Sequence, residues 1–230
     1  MKIAIMGAMP EEIAPILEKL GTYKTIEFAK NTYYEASYKG VELVIAYSKI
    51  GKVFSTLTAT TMIEHFGCNK LLFSGVAGAV NPNLKVGDLV VATKLAQHDL
   101  DITAFGHPFG YVPEGAVFIE ADKEMVELSK NVAKEMNKVV QEGIIATGDQ
   151  FVANEDRKNW IGSTFNADAL EMEGASVAVV CDALNIPFFI LRAISDAADM
   201  DASFSFDEFL ETSAVESAEF VMKMVDKIVE

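Results

Sequence analysis

The 230-residue sequence predicts an α/β layered domain built on a twisted, partly parallel β-sheet. Three observations predict it. Short β-branched apolar runs alternate with longer helical patterns along the whole chain. Several of those runs are apolar at consecutive positions, as strands covered on both faces require. Half of the residues are apolar, and a chain of this length buries about 70–75% of its unfolded surface, so a core is available without disulfides or metals. No linker, low-complexity tract or internal repeat interrupts the alternation. Residues 1–230 are therefore expected to form a single domain.

The elements follow in order. Residues 2–6 read as a first strand ending at Gly7, where the chain can turn sharply, and Glu11 and Glu12 fall in the first turn of a helix. Residues 33–38 and 41–48 flank Lys39-Gly40 as a hairpin. The run K-L-L-F-S at 70–74 is a strand, and Ser74 to Ala79 reads as a small-residue loop behind it. Residues 88–95 form the next strand. Met125, Leu128, Val132 and Met136 repeat at helical spacing behind Asp122, the expected N-cap. Strands follow over 139–147 and 187–195. Between them residues 174–184 are apolar almost all round, the pattern of a buried helix. The last helix is expected to open with Ser205-Phe206-Asp207-Glu208, a capping-box pattern, and to carry Phe209, Leu210, Phe220, Met224 and Ile228 on its inner face.

Charge narrows the function. Nineteen Lys and Arg stand against 34 Asp and Glu, a net −15, which sets nucleic acid and anionic membranes aside as partners. Arg157 and Arg192 are the only arginines, few for a phosphate clamp. Cys68 and Cys181 are isolated and read as reduced thiols of a cytoplasmic protein. The N-terminal apolar run is too short for a signal peptide, and no run approaches ~18 apolar residues, so no membrane span is expected. His65, His98 and His107 are scattered and HExxH is missing, so neither metal nor other cofactor is expected. Without a GxSxG elbow, and with both thiols in apolar contexts, carboxylate acid/base chemistry on a glycosidic or similar bond remains.

In open α/β sheets ligands bind beyond the carboxyl ends of the strands, and four strand ends carry candidate residues. At Gly7 to Glu12 the acids serve either chemistry or merely a helix N-terminus. Gly75 to Gly78 admits a ligand close to the backbone or marks an ordinary turn. Leu170 to Gly174 brings Glu171 and Glu173 between apolar segments, where a buried carboxylate needs a partner or a proton. Arg192 interrupts an apolar strand that ends at Ser195 and Asp196; it pairs with Glu12, Glu171 or Glu173, either structurally or as part of a site.

In combination, G-A-M-P-E-E (Gly7 to Glu12), S-K-I-G-K (Ser48 to Lys52), G-V-A-G (Gly75 to Gly78), L-K-V-G-D (Leu84 to Asp88), D-I-T-A-F-G (Asp101 to Gly106), G-D-Q-F-V (Gly148 to Val152), E-M-E-G (Glu171 to Gly174) and R-A-I-S-D-A-A-D (Arg192 to Asp199) resemble the bacterial 5′-methylthioadenosine/S-adenosylhomocysteine nucleosidases over the length of the chain. The resemblance implies the nucleoside phosphorylase/hydrolase fold, a three-layer α/β/α sandwich around a mixed sheet, in a homodimer. It implies hydrolysis of an N-ribosidic bond with release of adenine, in methionine salvage. It extends to a branch that accepts 6-amino-6-deoxyfutalosine, an intermediate of menaquinone biosynthesis.

By the same resemblance Asp196 is the general acid to adenine N7, which must then stay protonated near neutrality. Glu12 activates the water and Glu173 holds the ribose hydroxyls, with Met172 packed on the ribose. Phe151 stacks on adenine and the Val152 backbone reads its edge. Ser195 orients the acid, and Arg192 with Glu171 supports the water site. Ala8, Met9, Ile50, Ala77, Gly78 and Phe206 complete the pocket, while Phe105 and Pro113 reach it from the partner subunit. The chain departs from the family pattern at Val76, where Ser is frequent, and at Pro10, where Glu is. Two other readings stand beside this one: a phosphate-dependent purine nucleoside phosphorylase, and a nucleoside-binding protein without catalysis.

Overall fold

The structure is a computed structural model that describes residues 1–198 and 202–230. Its strands are β1 (Lys2–Gly7), β2 (Lys24–Phe28), β3 (Asn31–Tyr38), β4 (Val41–Tyr47), β5 (Lys70–Ala79), β6 (Leu89–Gln97), β7 (Ile119–Glu120), β8 (Val140–Thr147), β9 (Ala169–Glu171) and β10 (Phe188–Asp196). The helices are α1 (Pro10–Leu20), α2 (Lys52–Thr60), α3 (Lys123–Glu135), α4 (Glu155–Phe165), α5 (Gly174–Ala183) and α6 (Ala202–Val229). Helices α1, α3 and α6 cover one side of the sheet, and α2 and α5 the other. The expected α/β architecture with a mixed sheet is what the chain adopts.

The sheet is open at one end and closed at the other. β2, β3 and β4 form an antiparallel ribbon, and β4, β1 and β5 run parallel. From β5 the pairing continues to β10, β6, β8 and β9, and β9 pairs with β5 again. Five strands thus close into a barrel because β5 is long enough to serve three neighbours. Its first residues pair with β1, and Gly78 and Ala79 pair with β9 on the same edge.

This length corrects the sequence reading. Ser74 to Ala79 is not a loop; it is the second half of a strand. The small residues are there because two carboxylates press against the strand. A Cβ on Gly75 would lie 2.8 Å from Glu12 Oε1, and one on Gly78 would lie 2.8 Å from Asp196 Oδ1. Glycine in a strand interior often marks such a close approach.

Other expectations hold with small shifts. Asp122 caps α3, accepting from the Met125 amide at 2.9 Å, and α5 is buried as its all-round apolar sequence requires. Helix α6 opens at Ala202, ahead of Ser205, so Ser205 does not begin it. Asp199 lies outside the described residues. Strands β2, β7 and β9 and helices α2 and α4 are not among the elements the sequence predicts. The core is built from aliphatic and aromatic side chains such as Ile3, Ile5, Leu72, Phe73 and Phe189. A smaller cluster of Ala146, Val152, Ile161, Phe165 and Leu170 fills the side of the barrel next to the strand ends. Among the described residues no helix is long and apolar enough to cross a membrane.

Candidate active site

At the carboxyl ends of β1, β5, β9 and β10 lies a cleft whose empty space, open solvent at its mouth included, is about 560 Å³. It is lined by Ala8, Met9, Glu12, Ile50, Ala77, Gly78, Phe151, Val152, Glu171, Met172, Glu173, Ser195, Asp196 and Phe206. All of these were singled out from the sequence. Val76, Gln150 and Leu170 join them. Gln150 lies inside the G-D-Q-F-V motif and Leu170 opens the segment that ends at Gly174, but nothing in their own type marks them. Phe105 and Pro113 do not border this cleft. Phe105 closes a single turn of 3₁₀ helix after β6 and is 81% exposed; Pro113 is also exposed.

The sharp turn at Gly7 brings the N-terminus of α1 back over β1. Glu12, in the first turn, is buried and folds back onto its own helix start. Its Oε2 accepts from the amides of Ala8 and of Met9, the latter at 3.1 Å. Oε1 accepts from the Val76 amide of β5 at 3.1 Å. Burial raises the Glu12 carboxyl above its ordinary range, while the Arg192 guanidinium and the three amides pull it down. The balance suits a base that must be charged yet willing to take a proton.

Arg192, in the middle of β10, is fully buried. Its Nη2 meets Glu171 Oε2 at 2.7 Å, and its guanidinium lies 4.1 Å from the centre of the Phe73 ring. Of the three acids open to it on sequence, Glu171 is its ion-pair partner. Glu171 has further donors: the Thr147 hydroxyl, and the amides of Glu173 and Gly174 at 3.2 and 2.7 Å. It therefore neutralises the arginine and caps the positive end of α5 at once. The pair satisfies the carboxylate and two corners of the guanidinium, Nη1 donating to the Leu191 carbonyl at 3.2 Å, while the buried Arg192 Nε has no hydrogen-bond partner among the described residues.

Glu173, two residues after Glu171, also lines the cleft. The Gly51 amide at the start of α2 donates to its Oε1 at 2.9 Å. Burial, and then the neighbouring Glu171 charge, push its carboxyl well up, against the pull of Arg192. Asp196 ends β10. Its Oδ2 accepts from the Ser195 hydroxyl at 2.9 Å and its Oδ1 from the Ala198 amide at 2.8 Å. The β10–β5 register slips between Ile194 and Asp196, so Ser195 is the extra residue of a bulge. The bulge breaks the alternation of a regular strand, and Ser195 and Asp196 both border the cleft.

Phe151 and Phe206 meet edge to face, 5.7 Å between ring centres, and form an aromatic wall. The second arginine is elsewhere. Arg157 lies 4.3 Å over the Trp160 ring, and its Nη2 is 3.1 Å from His98 Nδ1. Neither arginine is among the cleft-lining residues. Chemically, the cleft offers four buried carboxyl groups, one of them (Glu171) paired with Arg192, together with one hydroxyl and a flat aromatic face in an otherwise apolar surround.

Known proteins share this arrangement of chain. The model of the phosphorylase superfamily matches residues 2–230. The aminodeoxyfutalosine nucleosidase of Campylobacter jejuni is 62% identical over 228 residues, covering 99% of this chain and 100% of its own. The 5′-methylthioadenosine/S-adenosylhomocysteine nucleosidase of Anoxybacillus flavithermus is 36% identical, covering 99% of both. A solved Helicobacter pylori nucleosidase, an aspartate-to-asparagine mutant with 5′-methylthioadenosine in its active site, superposes with a TM-score of 0.97 at 52% identity, covering 98% of each chain. Sequence, fold and relatives agree that this chain belongs to the phosphorylase superfamily, among its N-ribosidic-bond-cleaving nucleosidases.

Proposed function

We propose that the chain hydrolyses the N-ribosidic bond of 5′-methylthioadenosine, S-adenosylhomocysteine, 5′-deoxyadenosine and 6-amino-6-deoxyfutalosine, releasing adenine and the 5′-substituted ribose. The observation that carries this reading is the convergence of Glu12, Glu173 and Asp196 on one cleft beside Phe151. Asp196 donates a proton to adenine N7 as the C1′–N9 bond breaks and its electron pair passes to the base. Water adds to the oxocarbenium-like C1′ and gives its proton to Glu12. Glu12 and Asp196 press against Gly75 and Gly78, three residues apart on β5.

The remaining cleft residues have supporting roles. Glu173 holds the ribose hydroxyls over Met172. Phe151 stacks on the adenine, and the Val152 backbone reads its edge. Ser195 orients Asp196, and the Arg192–Glu171 pair steadies Glu12 from below. The small and apolar groups of Ala8, Met9, Ile50, Ala77, Gly78 and Phe206 shape the ribose and 5′ regions. Both arginines are committed to partners inside the protein, which favours water over phosphate as the acceptor. Identity of 62% to a named aminodeoxyfutalosine nucleosidase supports that substrate beside the thioethers, and with it roles in menaquinone biosynthesis and methionine salvage. The two buried thiols, Cys68 and Cys181, accord with a cytoplasmic location.

The test is adenine release from the four nucleosides, compared by kcat/KM with and without inorganic phosphate. Adenine and free ribose product at a phosphate-independent rate are expected. Ribose 1-phosphate formed at a rate that scales with phosphate would make the chain a phosphorylase. Tight nucleoside binding without any adenine release would make it a binding protein.

The active unit is proposed to be a homodimer in which Phe105 and Pro113 complete the partner's 5′ pocket. Supporting this, α2 turns Val53, Phe54 and Leu57 to solvent beside the cleft residue Ile50, with Val53 75% exposed. Contiguous apolar surface of that kind marks an interaction site. Val53 and Leu57 lie one turn apart on one face. Val53→Asp combined with Leu57→Asp should give a monomer by light scattering, with a raised KM for nucleosides bearing long 5′ substituents. A double variant that stays dimeric at parental KM would remove the interface from this face.

A further inference from the structure

Three loops that follow different strands meet beside the cleft in a closed ring of hydrogen bonds. Lys52, at the start of α2, donates its amide to Asp149 Oδ1 at 2.8 Å. Asp149, after β8, donates its own amide to Asp99 Oδ2 at 2.8 Å. Asp99, after β6, takes the Lys52 ammonium on Oδ1 at 2.7 Å, and Gln97 holds the same ammonium at 3.1 Å. Burial opposes charge on Asp99, yet Lys52 and the Asp149 amide keep its carboxyl below the ordinary range.

The ring pins an unusual piece of backbone. Gly51 sits at φ 100° and ψ 160°, a conformation open essentially to glycine alone. Its own amide faces Glu173 Oε1 at 2.9 Å, and the next amide, that of Lys52, faces Asp149. The two peptide groups flanking Gly51 are thus held by two carboxylates, one inside the cleft and one at its rim. On either side of the ring the chain runs directly into cleft residues, Ile50 before Gly51 and Gln150 to Val152 after Asp149. Lys52 and Asp99 are half-buried, and the ring ties together three separate loops. Its placement is suited to fixing geometry.

We propose that Asp149 is a positioning residue of the nucleosidase reaction: with Lys52 and Asp99 it locks Gly51 so that the Gly51 amide holds the Glu173 carboxylate against the ribose. The inference rests on the ribose-binding role proposed for Glu173. It acts through Glu173 and not through contact with substrate, so its signature is energetic coupling between the two positions.

The experiment is a double-mutant cycle. Asp149→Ala and Asp149→Asn are each made in the parent and in Glu173→Gln, and kcat and KM are measured with 5′-methylthioadenosine. Loss of the aligning hydrogen bond should lower kcat/KM of Asp149→Ala about fivefold to tenfold. Asp149→Asn keeps an oxygen acceptor for the Lys52 amide and should stay within about threefold of the parent. In Glu173→Gln, Asp149→Ala should cost less than about twofold. Parental kcat/KM in Asp149→Ala, or the same fold loss in both backgrounds, would overturn the proposal. Parental turnover by Glu173→Gln alone would instead overturn the role of Glu173 from which the inference starts.

Discussion

Asp196→Asn is expected to lower adenine release from 5′-methylthioadenosine by at least about 10³-fold, within the range that a lost general acid accounts for. The substitution is nearly isosteric. Its side-chain oxygen can still accept from the Ser195 hydroxyl or the Ala198 amide, the two donors seen at the carboxylate. Its amide can hydrogen-bond N7 of the base but cannot give up a proton at neutral pH. Binding should therefore survive while chemistry stops. Calorimetry with 5′-methylthioadenosine should give a Kd within a few-fold of the parental KM. Turnover near the parental rate would remove Asp196 as the acid and leave the leaving group to depart unprotonated.

The second large effect is at Glu12. Glu12→Gln should cost at least about 10²-fold in kcat, and it also disturbs the structure that holds the group. Both carboxylate oxygens accept from main-chain amides, Ala8 and Met9 on one and Val76 on the other. A carboxamide has one oxygen, so at least one amide would face an NH₂ group and go unsatisfied, at about 1–3 kcal/mol. Circular dichroism and thermal unfolding must accompany the kinetics.

The same site sets a pH dependence. Burial raises the Glu12 carboxyl above its ordinary value of 4.5. The base works only when ionised, so kcat/KM should fall as pH drops through that elevated value, and the acid limb should lie above pH 4.5. An acid limb at or below 4.5 would contradict a buried base. Parental activity in Glu12→Gln would contradict a base at this position altogether.

Much of this site was legible in the sequence because its chemistry is written in residue types that do not belong where they stand. Glu171, Glu173, Arg192 and Asp196 interrupt apolar runs, and each interruption needs a compensating partner. The choice among partners was not legible. Arg192 selects Glu171 because β9 and β10 both flank β5 in the closed part of the sheet, a fact of topology that no local pattern carries. The second half of β5 was misread for a related reason. Gly75 to Ala79 is small because acids from α1 and β10 approach it, so the cause of its composition is distant in sequence.

The unexpected elements have weak local patterns. β2 is exposed at both ends with only Ile26 half-buried, and α4 has little separation of polar and apolar faces. By contrast α3 carries a full apolar face behind a capping aspartate, and α5 is apolar throughout. In those segments local preference and tertiary environment agree, and the reading follows directly.

The closure of the barrel also bears on how the protein avoids sticking to itself. Open sheets present two rims of unpaired amides and carbonyls, each a template on which a second chain can dock as an extra strand. Here β10, at one end of the strand order, returns to β5, so among the described residues the strands left with a single partner are the two-residue β7 beside β6 and β2 at the rim of the ribbon. That rim is short and carries exposed Lys24 and Glu27, whose charges oppose such docking. Guarding against fibrillar association is thereby reduced to the five residues of β2 and the two of β7, leaving the strands that frame the cleft free to be as apolar as the chemistry requires.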